Sequence, residues 1–229
     1  MNNEFGLINL WSEGDGVTRF VALLLLLMSL TSWIVIILKS LNFFTAQKQA
    51  GRIEAFWHSP NVAGGVQALG EEEGNPFRAL ALCGQDAMAH LKIDGGQPEL
   101  LKELDTSDWI TRSLQNTIDD ATSNLQSGMA ILASVGSTAP FVGLFGTVWG
   151  IYHALVQIGA AGQASIDQVA GPIGEALIMT ALGLAVAIPA VLGYNALVRG
   201  NKAIITRMNR FAHDLHALLV TGSRVKGKG

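Results

Sequence analysis

The third apolar segment of the chain decides the fold: Glu175-Ala-Leu-Ile-Met-Thr-Ala-Leu-Gly-Leu-Ala-Val-Ala-Ile-Pro-Ala-Val-Leu-Gly193. A helix of about 20 such residues crosses the ~30 Å hydrocarbon core of a bilayer. The acid at its head is unusual, because no Lys or Arg occurs from Ser113 to Val198. We therefore interpret the segment as a transmembrane helix whose single acid has a function.

Glu175 has two interpretations at this level. A charged side chain in hydrocarbon costs at least ~2.5–3.5 kcal/mol on insertion scales, so such residues usually face a bundle interior or a water path. Burial disfavours the charged form of a carboxyl group, which suits an acid that takes up and releases protons. Glu175 is thus either a proton-exchanging acid within the bilayer or a rim acid at the outer end of the span.

Two further segments are long and apolar enough to span a membrane. The chain is 49% hydrophobic and 14% charged, against roughly 25% charged in an average soluble domain. We predict an all-α integral membrane protein with transmembrane helices over residues 20–38, 128–156 and 172–198, and with long helices extending into the cytoplasm. The first span is predicted to be a retained anchor and not a signal peptide, because acidic residues precede it and no small-x-small site follows.

The basic residues predict the orientation. Seven Lys or Arg residues lie in 199–229 and seven in 39–127, against one in 1–19 and none in 157–171. By the positive-inside rule, the 199–229 tail and the 39–127 segment are cytoplasmic. The N-terminal tail, 1–19, and the loop 157–171 then lie on the outside.

The cytoplasmic segment is predicted to be mostly helical. We expect a continuation of the first span over 40–58, a loop with at most one short turn over 59–76, a short helix over 77–92 and another from Pro98. Apolar residues then recur in steps of three and four, which marks one helix face: Leu101, Leu104, Ile110, Leu114, Ile118, Ala121, Leu125 and Met129. We expect this helix to run unbroken into the second span, with its apolar stripe packed against the other cytoplasmic helices or a neighbouring subunit.

The second and third spans form a hairpin with three polar candidates. Their glycines, three, four and seven residues apart, indicate close helix packing. If the hairpin folds about Ala161, Thr147 and Glu175 lie fourteen residues on either side of the fold, at the same level. Thr180 lies roughly 7.5 Å further along at ~1.5 Å per residue. Glu175, Thr147 and Thr180 are therefore the candidate proton pathway, although membrane threonines also commonly bond back to their own helix.

The remaining chemistry-bearing residues receive structural interpretations. His153 is expected to be an interfacial histidine, Asp167 a solvated loop residue, Cys83 a small buried residue and Pro172 a first-turn proline. We expect no metal and no cofactor. The chain has no Ser/His/Asp, H-E-x-x-H or phosphate-binding pattern, so we expect it not to be an enzyme. It also has no basic stripe with interleaved aromatics, so nucleic acid is not an expected partner.

Two stretches of the hairpin resemble a known family. They are Gly136-Ser-Thr-Ala-Pro-Phe-Val-Gly-Leu-Phe-Gly-Thr-Val-Trp-Gly-Ile151 and Gly174-Glu-Ala-Leu-Ile-Met-Thr-Ala-Leu-Gly-Leu-Ala-Val-Ala-Ile-Pro-Ala190, followed by Tyr194-Asn195. From Val135 to Lys202 the chain closely resembles the ExbB/TolQ/MotA proton-channel family, most of all its ExbB branch and next its TolQ branch. The MotA branch normally has an additional span. One departure is Gly174, where an alanine often precedes the glutamate.

The resemblance implies a function and partners. It implies a pentamer of this subunit in the bacterial inner membrane, with a periplasmic N-terminus and a cytoplasmic C-terminus. The ring would surround the single transmembrane helices of an ExbD- or TolR-like dimer, whose aspartate exchanges the proton. Force would pass to a TonB- or TolA-like protein that spans the periplasm. The family's Thr, Glu and Thr positions fall on Thr147, Glu175 and Thr180.

Three alternatives to an ExbB-like role are considered. A TolQ-like subunit would serve envelope integrity and cell constriction. A passive scaffold would only oligomerise in the membrane and anchor its partner. A solute carrier is the third, and three spans without internal repeats offer it no evident substrate pocket.

Overall fold

A computed structural model describes residues 15–72, 74–93, 106–161 and 166–222. Within these ranges the chain is almost entirely helical and contains no strand. The helices in chain order are α1 (Gly16–Ala50), α2 (Ile53–Trp57), α3 (Val62–Ala68), α4 (Pro76–Ile93), α5 (Thr106–Gln126), α6 (Met129–Ala161) and α7 (Ile166–Thr221). The predicted all-α class is confirmed for the described part of the chain.

The chain divides into two compact units. One unit comprises Met1–Leu38 and Gly128–Ala196, and the other comprises Lys39–Ser127 and Leu197–Gly229. The first unit therefore contains α6 and the N-terminal parts of α1 and α7, which hold the three predicted spans. We call it the hairpin unit, and the other the polar unit.

The hairpin unit is built from helices that are apolar around much of their circumference. Three helical stretches are long and apolar enough to cross a membrane: Gly16–Trp57, Ser107–Gly159 and Gly171–Thr221. Only 17%, 33% and 28% of the residues in their most apolar windows are buried within the chain. A helix that exposes apolar residues all round is typical of a membrane span. The small internal core consists of Val21, Leu25, Val135, Ala139, Met179, Ala187 and Ala190.

The polar unit has a conventional hydrophobic core. Phe211 of α7 lies at its centre, with ring centroids 5.1 Å from Phe56, 5.7 Å from Trp57 and 6.1 Å from Phe77. The apolar stripe predicted on the fifth helix enters the same core through the buried side chains of Ile110, Leu114 and Ile118. Core packing within the chain therefore explains these three stripe residues, whereas Leu101 and Leu104 lie outside the described residues.

Two helix starts differ from the prediction. The expected unbroken helix into the second span is interrupted at Ser127–Gly128, where Gly128 has φ 76°. Glycine adopts this left-handed conformation readily, so α5 ends there and α6 begins at Met129. The third span was expected to begin at Pro172, yet α7 begins at Ile166 and contains that proline. Proline at this position removes one backbone donor, and α7 nevertheless continues through it to Thr221.

The connections also differ in detail. The predicted continuation of the first span over 40–58 is a helix only to Ala50, followed by the short α2. The stretch predicted as a loop over 59–76 contains the seven-residue α3, which Asn61 caps by accepting a hydrogen bond from the Gly64 amide at 2.7 Å. The predicted loop 157–171 is helical over 157–161 and 166–171. The helix predicted over 77–92 is confirmed as α4, and the predicted start at Pro98 lies outside the described residues.

Candidate functional site

The antiparallel register of α6 and α7 is set by glycines at their contact. A Cβ placed on Gly143 would lie 3.0 Å from the Gly183 Cα, and one on Gly150 would lie 2.9 Å from the Ala176 Cβ. A step of seven residues along α6 is thus matched by a step of seven back along α7. The two backbones touch because neither Gly143 nor Gly183 has a side chain, which is the geometry of small-residue membrane packing.

Thr147 joins the two helices through its hydroxyl group. The side chain is buried, at 6% exposure. Its Oγ1 lies 2.6 Å from the Thr180 Oγ1, 2.8 Å from the Ala176 carbonyl oxygen and 3.2 Å from the Gly143 carbonyl oxygen. A hydroxyl has one proton to donate and can accept two hydrogen bonds. Thr147 therefore donates to one carbonyl at a time, and in that state Thr180 donates to Thr147.

The alternative interpretation of Thr147 was a hydroxyl that bonds only back to its own helix. The bond back to its own helix, to Gly143, is present but is the longest of the three contacts. The two shorter contacts cross to α7. Thr147 is therefore chiefly a cross-helix residue, and the structure brings it together with Thr180 by direct hydrogen bonding.

Glu175 lies five residues before Thr180 on α7. The glycine contacts place Thr147 level with Met179, so Glu175 lies about one turn nearer the connection between α6 and α7 than the level predicted for it. It directly precedes Ala176, whose carbonyl accepts from Thr147. Because α7 begins at Ile166, Glu175 lies more than two turns inside the helix at 3.6 residues per turn. Its side chain is half-buried and lines a cavity of about 140 Å³. The other lining residues are Asp15, Thr18, Gly146, Gly150, His153, Ala154, Gln157, Pro172, Ala176 and Met179.

Asp15 is a residue of this site that the sequence interpretation missed. One carboxylate oxygen accepts from the Thr18 amide at 2.8 Å, which caps the start of α1. The other accepts from the Trp149 indole Nε1 at 2.6 Å and so ties α1 to α6. Burial opposes ionisation of this carboxyl, but the hydrogen bonds from Thr18 and Trp149 outweigh it and lower the pKa of Asp15 below its usual value.

An N-cap acid before an apolar helix is readable from sequence. Its indole partner, Trp149, could not be identified in this way, because the two residues are 134 positions apart.

The other predicted residues have the following positions. His153, interpreted as interfacial, is exposed and lines the cavity. Asp167, interpreted as a loop residue, falls within α7, and its side chain lies outside the described residues. Among the described residues, no group of three or more His, Cys, Asp or Glu side chains is placed to hold a metal ion.

Comparisons with known proteins find relatives that cover most of the chain. Residues 85–210 match the MotA/TolQ/ExbB proton channel family. The biopolymer transport protein ExbB of Xanthomonas campestris pv. campestris is 45% identical over 219 residues, which cover 94% of this chain and 87% of that protein. ExbB of Neisseria meningitidis serogroup B is 39% identical over 92% of this chain and 95% of its own length. The Tol-Pal system protein TolQ of Pseudomonas aeruginosa is 32% identical over 92% and 91%.

Proposed function

Because the chain belongs to the MotA/TolQ/ExbB proton channel family, we propose that it is the proton-conducting stator subunit of an inner-membrane motor. In this proposal it uses the proton motive force, together with an ExbD-like single-span partner, to energise TonB-dependent transport across the outer membrane. The two ExbB proteins named above share 45% and 39% identity with the chain and the TolQ protein 32%. This order favours the ExbB-like role over the TolQ-like one.

The observation that carries the proposal is the hydrogen-bonded pair of Thr147 and Thr180 between the two helices, with Glu175 on the same helix as Thr180. A hydroxyl that can exchange its donor and acceptor roles can pass a proton to a neighbour, and Thr147 has three oxygen neighbours within 3.2 Å. Glu175, one residue from the carbonyl that Thr147 contacts, supplies the group that binds and releases the proton. Thr147, Glu175 and Thr180 together form the proposed proton pathway.

The exposed surface of the hairpin unit supports assembly. Phe141, Phe145 and Val148 are 70%, 53% and 59% exposed on α6, and their spacing of four and three places them on one face. Leu177, Leu184 and Ile188 form a comparable exposed stripe on α7. In the proposed pentamer these stripes are covered by lipid, by neighbouring copies and by the transmembrane helix of the partner.

The orientation is part of the proposal. The concentration of Lys and Arg in 39–127 and 199–229 supports a cytoplasmic position for these segments by the positive-inside rule. The N-terminus and the connection between α6 and α7 then face the periplasm. A proton entering there falls through the membrane potential, which yields about 2.3 kcal/mol per 100 mV. Several protons must therefore contribute to a large work step, as a stepping or rotary motor allows.

The test is complementation by Glu175→Gln in a strain that lacks the native subunit, scored by TonB-dependent uptake. The matched control is Glu54→Gln, which neutralises an exposed acid of the polar unit. We expect both proteins at wild-type level in the membrane, with uptake lost only for Glu175→Gln. Normal uptake with Glu175→Gln would refute the proton pathway and favour the scaffold. Rescue of a strain lacking TolQ, without rescue of TonB-dependent uptake, would favour the TolQ-like role.

A further inference from the structure

Protons need a route to Glu175, and the threonine pair does not supply one. The cavity that Glu175 lines is the candidate for that route. Its lining comes from three helices: Asp15 and Thr18 at the start of α1, five residues of α6, and four residues of α7, among them Glu175. Its volume of about 140 Å³ exceeds the ~10–15 Å³ that one water needs. Polar groups on all three helices make this a space that water can fill.

We propose that this cavity, here called the vestibule, is the route by which protons enter from the periplasm, with His153 as the relay at its mouth and Asp15 as the fixed anion that attracts protons to it. The inference rests on the proposed function and its orientation. It adds an entrance and two residues to the pathway formed by Thr147, Glu175 and Thr180.

Asp15 is suited to act as a permanent negative charge. Both of its carboxylate oxygens are held, one by the Thr18 amide and one by the Trp149 indole. The same hydrogen bonds keep its pKa low despite partial burial, so it stays ionised at neutral pH. It also lies at the N-terminus of α1, where the helix dipole stabilises an anion. A cleft lined by one sign of charge raises the local concentration of the opposite ion and the rate at which it enters.

His153 is suited to act as the exchanging group. It lies four residues after Trp149, one turn along the same helix face, and its charge acts on Asp15. Histidine is the side chain whose ordinary charge change falls between pH 5 and 8. The residue is exposed on the surface of the single chain and also lines the vestibule, and in the proposed orientation it lies toward the periplasmic end of α6. His153 can therefore take a proton on one side and release it on the other.

The titratable groups among the lining residues are one from each helix: Asp15 from α1, His153 from α6 and Glu175 from α7. In the proposed step, an outside hydronium ion protonates the neutral imidazole of His153 and becomes water. The imidazolium then passes a proton through vestibule water to the Glu175 carboxylate, which becomes a carboxylic acid. Asp15 keeps its charge throughout, and no other reactant is needed.

The experiment measures proton influx into proteoliposomes that contain the complete complex of this chain with its single-span partner, at outside pH 5.5 to 8. We expect His153→Gln and Asp15→Asn each to lower influx at the alkaline end by roughly tenfold, the lower limit of electrostatic focusing in clefts. At the acidic end the loss should shrink, because abundant protons enter through water alone. Asparagine also caps helices well, so Asp15→Asn preserves the start of α1.

Two controls separate a relay from a structural role. His213→Gln removes a largely exposed histidine of the polar unit and should leave the pH profile unchanged. His153→Ala should regain influx when imidazole is added to the outside buffer, since a mobile base can replace an exposed ring. Absence of this rescue, or an equal loss for His153→Gln at every pH, would overturn the relay.

The same assay separates this inference from the proposed function. If Glu175→Gln blocks influx while His153→Gln and Asp15→Asn conduct like the wild type at all pH values, the vestibule proposal is wrong and the proton pathway stands. If Glu175→Gln itself conducts normally, the proposed function fails and the vestibule proposal fails with it.

Discussion

A single methyl group at Gly143 should separate the two helices that hold the threonine pair. A Cβ at this position would lie 2.6 Å from the Met179 carbonyl oxygen and 3.0 Å from the Gly183 Cα. Both are backbone atoms, so no side chain can turn away to make room. To reach the 3.4 Å of ordinary contact, α6 and α7 must move apart by about 0.8 Å.

The same displacement should break the hydrogen bond from Thr147, one helical turn further along α6, to the Ala176 carbonyl. Moved by about 0.8 Å, its contact with the Ala176 carbonyl would lengthen from 2.8 Å to about 3.6 Å, beyond hydrogen-bond range. Overpacking costs typically ~1–3 kcal/mol, and a lost interhelical hydrogen bond in a membrane costs about 0.6 kcal/mol more. We expect Gly143→Ala to destabilise the fold by roughly 2–3 kcal/mol.

The assay is thermal unfolding of the full chain in detergent, paired with TonB-dependent uptake in cells. The control is Gly159→Ala on the same helix, where an added Cβ meets no atom within 4 Å. That change should be neutral or stabilising by up to about 1 kcal/mol, because alanine favours a helix over glycine. The two substitutions should therefore differ in sign. Equal unfolding temperatures and equal uptake for both variants would refute the reasoning.

Three further predictions concern single side chains. Thr147→Val keeps the shape but removes the hydroxyl, so uptake should fall, and Thr147→Ser should restore it. Because the pKa of Asp15 is lowered in the folded state, its ionised carboxylate stabilises the fold at pH values above the unfolded-state pKa of 3.8. This stabilisation is lost as the pH falls through the folded-state pKa. The difference in unfolding temperature between the wild type and Asp15→Asn should thus narrow on acidification. Phe211→Ala removes the centre of the aromatic core and should cost about 3–5 kcal/mol of unfolding free energy, whereas Phe44→Ala, at a site 64% exposed, should cost far less.

Apolar length predicted the spans of the hairpin, whereas counting along the chain did not give their register. Apolar length alone identified the helices that contain the three spans, because a bilayer requires about 20 apolar residues in sequence. Counting from a fold at Ala161 placed Thr147 level with Glu175, and this estimate was wrong by about one turn. The contacts of Gly143 with Gly183 and of Gly150 with Ala176 place Thr147 level with Met179, and its hydroxyl meets that of Thr180 at 2.6 Å. The register follows from the glycine contacts between the helices and not from the middle of the connection.

Helix ends and long-range partners could not be predicted in the same way. Pro172 suits a first helical turn, yet α7 starts six residues earlier, at Ile166. Gly128 was a visible signal for the break between α5 and α6, but helix-like spacing on both sides obscured it. The Asp15–Trp149 hydrogen bond depends on how α1 packs on α6, which no local pattern specifies.

The glycines of the hairpin make the hydrogen bonds of its threonines possible. Thr147 reaches Thr180 and the Ala176 carbonyl only because Gly143 and Gly183 let the backbones of α6 and α7 touch. With the helices at an ordinary packing distance of 8–10 Å, a hydroxyl one carbon from the backbone could not reach both of its partners on α7. Close packing therefore sets the distance over which the proposed proton transfer takes place. A substitution that widens the contact should reduce conduction even though it leaves Glu175, Thr147 and Thr180 in place.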